Sequence, residues 1–253
     1  MVARLALKSV VGSILLGASL TPIAAPPASA TSCVDVALVL AVDSSGSISA
    51  GEYVLQRNAI AAAFRNRQVL DAVERAGQVA VSIVFWGSED QPKPQSRWFL
   101  ISGKSGAEQF ARAVETMPRR VTGDTGLGSG LLAAVTKFDS LPSCSQRKII
   151  NVSGDGSETL PGRGRHRQAV PSRVRDLAAS RDIAINALAI STEEPDLRQY
   201  YAANVITGPG SFVMEVRSYV DFAVALRRKL EREIGPRVVT SRLSQPRGTT
   251  RLD

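Results

Sequence analysis

Histidine and cysteine are scarce in this chain, which holds one of the former and two of the latter in 253 residues. With so few soft ligands, no zinc or copper centre of clustered imidazole and thiolate is available. Folding rests instead on an ordinary apolar core, which 44% hydrophobic residues can supply at this length without a disulfide scaffold. The lone His166 stands among Arg163, Arg165 and Arg167 with no nucleophile and orienting acid beside it in sequence, so it does not read as a catalytic base. The serine elbow of hydrolases is missing too, because in Gly126-Leu127-Gly128-Ser129-Gly130 the serine falls one place late. Gly103-Lys104-Ser105 is not a phosphate loop, since Trp98 stands where the earlier glycine belongs. Aromatic residues make up only 5%, and none interleaves with the basic ones, so the formal net charge of +8 does not read as a nucleic-acid surface.

Long apolar runs are also lacking. The run at residues 10–20 falls short of the roughly 20 apolar residues a spanning helix needs. Arg4 and Lys8 precede it, Pro22, Pro26 and Pro27 break it, and Ala28-Ser29-Ala30 supplies small residues for cleavage. Residues 1–30 therefore read as a signal peptide, which implies a periplasmic or secreted protein with no transmembrane anchor. Ala30-Thr31-Ser32 before Cys33 lacks the apolar residue of a lipoprotein signal. Loss of the leader would take the net charge from +8 to about +6. Residues 236–253, where Arg237, Arg242, Arg247 and Arg251 punctuate Ser, Thr, Pro and Gly, read as a basic, disordered tail.

Between these ends, at residues 31–235, apolar strands alternate with helices. Strands are expected at residues 34–42, 78–86, 97–101, 148–152, 183–190 and 212–216. Ser49 and Glu52 form a capping-box pattern that opens a helix with Tyr53, Ile60 and Phe64 on its apolar face. Further helices are expected at residues 107–117, 127–138, 195–203, up to about Arg181, and after Ser218-Tyr219-Val220-Asp221. Such alternation predicts one α/β domain, with a doubly wound, mostly parallel central sheet and helices on both faces. No internal repeat is visible.

Ligands of such sheets sit outside the carboxyl ends of the strands, where strand order reverses. The first strand ends in Asp43-Ser44-Ser45-Gly46-Ser47 and the fourth in Ser153-Gly154-Asp155-Gly156-Ser157, with Thr122-Gly123-Asp124-Thr125-Gly126 between them in sequence. These segments offer carboxylates and hydroxyls, hard oxygen donors that suit Mg²⁺, Mn²⁺ or Ca²⁺. By themselves, Ser/Asp turns need no metal.

D-S-S-G-S at 43–47 matches the D-x-S-x-S signature of von Willebrand factor A-type domains, Thr125 resembles that family's threonine, and Asp155 matches its later aspartate. The resemblance covers residues 34–234. With A-V-D-S-S-G-S, N-V-S-G-D-G and E-P-D-L-R-Q-Y-Y-A-A-N-V-I-T-G-P-G, the chain also resembles a bacterial family of exported, largely uncharacterised proteins with this domain. It implies a metal-ion-dependent adhesion site, with Ser45, Ser47 and Thr125 as hydroxyl ligands and Asp43 and Asp155 acting directly or through water. A protein partner's acidic side chain would complete the coordination. Thr122 is a weaker candidate for the threonine, and Asp124 reads as a solvated loop residue. The basic loop with Arg163, Arg165, His166 and Arg167 follows Asp155 closely and is a candidate partner contact or a solvated loop.

Cys33 lies ten residues before Asp43 and Cys144 eleven before Asp155. On adjacent parallel strands about 4.8 Å apart, both cysteines fall near the opposite ends, within reach of a disulfide. The expectation is a monomeric binding module rather than an enzyme. A metal-dependent hydrolase and a structural domain with an idle site are the alternatives. Asp43 has Ser45 two residues on, not the second carboxylate that aspartyl phosphatases of the haloacid dehalogenase type carry.

Overall fold

Val34–Asp43 (β1) is apolar on both faces because both are covered: Val36, Leu38, Leu40 and Val42 enter one core, Val39 and Ala41 the other. The computed structural model describes residues 33–159 and 169–236. After β1 come Ala50–Arg65 (α1), Arg67–Ala76 (α2), Val79–Trp86 (β2), Phe99–Ile101 (β3), Lys104–Glu115 (α3) and Leu127–Lys137 (α4). Ser145–Gly154 (β4), Pro171–Ser180 (α5), Ile183–Ile190 (β5), Leu197–Asn204 (α6), Val213–Val216 (β6) and Tyr219–Ile234 (α7) follow. The sheet order is β3-β2-β1-β4-β5-β6, parallel throughout except for β3, which runs antiparallel to β2. Side chains of α1, α2, α3 and α7 fill the first core, and those of α4, α5 and α6 fill the second. This is the expected α/β architecture, with the order reversing between β1 and β4.

Local departures have local causes. The helix expected after Ser49 forms as α1, and a second helix that was not expected, α2, follows it directly. Asn66, in extended conformation, ends α1, and its side chain accepts from the Gln68 N–H to start α2. The capping box at Ser49 and Glu52 forms as read. At Ser218, which precedes α7, the hydroxyl donates to the Asp221 carboxylate at 3.1 Å and caps no helix N–H. β4 starts at Ser145, because Val34 N–H donates to the Cys144 carbonyl at 2.9 Å and Val34 pairs with Ser145. The same pairing brings Cys33 and Cys144 together as a disulfide, with Cα atoms 4.5 Å apart. Trp86 is buried in the second core and Trp98 packs on Phe138. No helix among the described residues is long and apolar enough to cross a membrane. The leader at residues 1–30 and the tail from residue 237 on lie outside the described residues.

Candidate metal centre

β1 delivers Asp43 at its last position and β4 delivers Asp155 one residue beyond its end, on neighbouring strands at the reversal point. Asp43 is fully buried. Its Oδ1 accepts from the Ser45 N–H at 2.8 Å, turning the chain sharply after β1. Its Oδ2 is buried with no hydrogen-bond partner. A buried carboxylate oxygen left unpaired is costly, so this atom marks a place built for something more than packing. Burial, then the nearby Asp155 carboxylate, push Asp43 from the ordinary 3.8 up to about 8, against its bonds from Ser45.

From Ser45 a run of side chains crosses the site. The Ser45 and Ser47 hydroxyls lie 3.2 Å apart, Ser47 donates to Asp155 Oδ1 at 2.8 Å, and the Tyr219 hydroxyl donates to Asp155 Oδ2 at 3.2 Å. Burial raises Asp155 as well, opposed by the bonds from Ser47 and Tyr219. Thr125 closes the other side. Its Oγ1 lies 3.4 Å from where a Cβ on Gly156 would stand, and its backbone is held by the Thr159 hydroxyl and N–H at 3.0 Å each. Thr122 and Asp124 are exposed.

The loops are stitched to one another. Ser44 donates its hydroxyl to the Val121 carbonyl at 2.8 Å, and Gly46 N–H donates to the Gly123 carbonyl at 2.6 Å. Gly123 takes φ 79°, a left-handed conformation that favours glycine. Gly154 leaves room for the buried carboxylate: a Cβ there would stand 2.6 Å from the Tyr201 hydroxyl and 2.9 Å from Asp43 Oδ2.

Asp43, Ser45, Ser47, Thr125 and Asp155 are thus brought together, two carboxylates and three hydroxyls. Among the described residues no cluster of three or more His, Cys, Asp or Glu side chains forms a metal cage. The set is therefore oxygen-rich and low in charge, and its orphaned Asp43 Oδ2 fits a hard divalent cation. Arg163, Arg165, His166 and Arg167 lie outside the described residues. Tyr219 and Arg119, whose guanidinium bonds the Ser44 and Ser45 carbonyls, were not legible as site residues. For Tyr219, its place at the start of the helix after β6 was the available signal.

A family model described as a protein of unknown function (DUF1194) matches residues 32–238. No curated protein matches. Among solved structures, proximal thread matrix protein 1 from the mussel byssus aligns at 16% identity and a TM-score of 0.54, over 80% of this chain and 47% of that one. The pilus adhesin SpaC from Lactobacillus rhamnosus GG aligns at 14% and 0.57, over 79% and 30%. A von Willebrand factor type A protein from Catenulispora acidiphila aligns at 17% and 0.52, over 80% and 43%. The chain spans less than half the length of each. At these identities the likeness shows the fold, which is that of von Willebrand A domains. The mussel protein has also been solved with zinc occupying its MIDAS motif.

Proposed function

The chain belongs to the DUF1194 family, proteins of unknown function, and from that starting point we propose that it is an exported binding module that holds a divalent metal and, through it, an acidic group of a protein partner. Asp43, Ser45, Ser47, Thr125 and Asp155 are the metal's holders, directly or through water. The observation that carries the reading is Asp43 Oδ2, buried and unpartnered at the reversal point of the sheet, with two serine hydroxyls 3.2 Å apart beside it. The zinc-occupied motif of the mussel neighbour supports a divalent cation in general. Hard oxygen donors favour Mg²⁺, with Mn²⁺ or Ca²⁺ as alternatives.

Bound metal held directly by the hydroxyls, with the carboxylates acting through water, would keep positive charge and so attract an outside carboxylate. The chain's own residues set the terms. Asp43 is held at the floor by the Ser45 N–H, Ser47 and Tyr219 orient Asp155, and Ser47 is exposed at the mouth where a partner approaches. We read the site as one for binding rather than turnover, with a monomer as the working unit. The pilus adhesin neighbour supports protein partners.

Acetate is the simplest stand-in for the partner's carboxylate. Titrated into ¹⁵N-labelled protein with saturating Mg²⁺, it is expected to shift the amides of Ser45 to Ser47, and EDTA should reverse the shifts. Acetate shifts that persist in EDTA, or none with metal bound, would contradict the reading.

A further inference from the structure

One cation is built against the loop that carries Ser45 and Ser47. Arg119 lies in the segment between α3 and α4, and its Nη2 donates to the Ser44 carbonyl at 3.1 Å and the Ser45 carbonyl at 2.7 Å. Both serines are buried, so their carbonyls need donors from the protein, and β1 has ended at Asp43; Ile48 N–H donates to the Ser45 carbonyl at 3.2 Å, and Arg119 adds the side-chain donor to both. The guanidinium rests 5.9 Å from the centre of the Tyr53 ring. Two residues on, Val121 receives the Ser44 hydroxyl, and two further on, Gly123 receives the Gly46 N–H. The same segment carries Thr125. Arg119 is therefore the side-chain clasp in a three-point junction between the two loops that present the hydroxyls.

We propose that Arg119 is the positioning residue of the metal centre, fixing the Ser44–Ser45 backbone so that Ser45 and Ser47 face Asp155 before any cation arrives. This rests on the metal reading above. Groups that orient metal ligands without touching the metal commonly change affinity by about 10–100-fold when removed. The guanidinium's fixed geometry suits it to two adjacent carbonyls. A lysine ammonium keeps the charge and can reach either carbonyl but lacks that rigidity.

Arg57 supplies the control. Its Nη1 donates to the Met117 carbonyl at 3.0 Å, so it ties the same segment to α1 without touching Ser44 or Ser45. Arg119→Ala, Arg119→Lys and Arg57→Ala are compared with the unaltered protein by Mn²⁺ calorimetry, and by amide hydrogen exchange without metal, after melting curves show folded protein. Arg119→Ala is expected to raise the Mn²⁺ dissociation constant by about 10–100-fold and to speed exchange at Gly46 and Ile48. Arg119→Lys should recover part of both, and Arg57→Ala should leave both unchanged. Equal effects from Arg119→Ala and Arg57→Ala, or no effect from Arg119→Ala, would overturn the proposal. Should Arg119→Ala fail to fold, the Lys variant decides by the same two readouts, with wild-type values overturning the proposal. If the unaltered protein binds no Mn²⁺, the metal reading fails and exchange alone decides. Faster exchange confined to the Arg119 variants then still supports positioning, and unchanged exchange overturns it.

Discussion

Ser47 donates its hydroxyl to Asp155 Oδ1 at 2.8 Å, across 108 residues of sequence. The bond joins the loop after β1 to the loop after β4, between two of the proposed metal holders. Ser47 is exposed, so Ser47→Ala should cost the metal-free fold only about 0.5–1.5 kcal/mol, the usual worth of one hydrogen bond. Mg²⁺ affinity should fall at least about tenfold, the loss of one direct ligand being no milder than that of an orienting group. Urea melts and calorimetry measure the two quantities separately. A large loss of stability with unchanged affinity would make the contact structural.

Asp43 and Asp155 are both raised by burial, and Asp43 reaches about 8. In the metal-free protein the folded state keeps a proton on Asp43 that the unfolded chain releases near 3.8. Between those values the unfolded state binds fewer protons, so stability should fall as pH rises from about 4 to about 8. Asp43→Asn removes that residue's share of the slope. A cation binds the ionised form, so Mg²⁺ should bind more tightly as pH rises toward 8, releasing protons, and should offset the decline. Melting temperatures against pH, with and without Mg²⁺, test both signs.

Lys229 and Glu233 form a fully buried ion pair on α7, 2.6 Å apart. Asn151 and Asn186 donate to Glu233 at 2.7 and 3.0 Å, and Lys229 donates to the Asn186 carbonyl at 3.1 Å. Burial lowers Lys229 to about 8, and burial raises Glu233. Glu233→Ala strands a buried cation and two amides and should cost about 3–5 kcal/mol. Combining Lys229→Met with Glu233→Gln leaves no charge and keeps an acceptor for the amides, so it should cost much less than Glu233→Ala. Denaturant melts of the two variants make the comparison.

Gly154 is a point of close packing beneath the site. A Cβ there would stand 3.2 Å from Trp86 as well as against Tyr201 and Asp43 Oδ2. Gly154→Ala should cost about 1–3 kcal/mol by overpacking and weaken Mg²⁺ binding by displacing Asp43. Gly210, where a Cβ meets nothing within 4 Å but φ is 71°, serves as a comparison in which backbone strain acts without crowding the site.

Much of this architecture is legible in the sequence because β1, β2 and β5 are apolar on both faces, a pattern that only a sheet covered on both sides rewards. The resemblance to the D-x-S-x-S signature named Asp43, Ser45, Ser47, Thr125 and Asp155, each of which falls where an apolar strand gives way to a loop or a loop gives way to a helix. The break at Asn66 was not legible, since the helical periodicity runs on across it and a single side-chain cap decides it. Nor were Arg119 and the buried Lys229–Glu233 pair. An arginine that bonds carbonyls 74 and 75 residues away, or a Lys/Glu pair at helical spacing, looks like a solvated surface until the packing is known.

Everything proposed for this site turns on Asp43 standing at the floor of a cation site. Calorimetry of the purified protein with Mg²⁺, run beside the Asp43→Ala variant, tests it most directly. One-site binding is expected in the unaltered protein and none in the variant, with both proteins folded. No heat of binding from the unaltered protein at millimolar Mg²⁺ or Mn²⁺, or equal binding by both proteins, would contradict it.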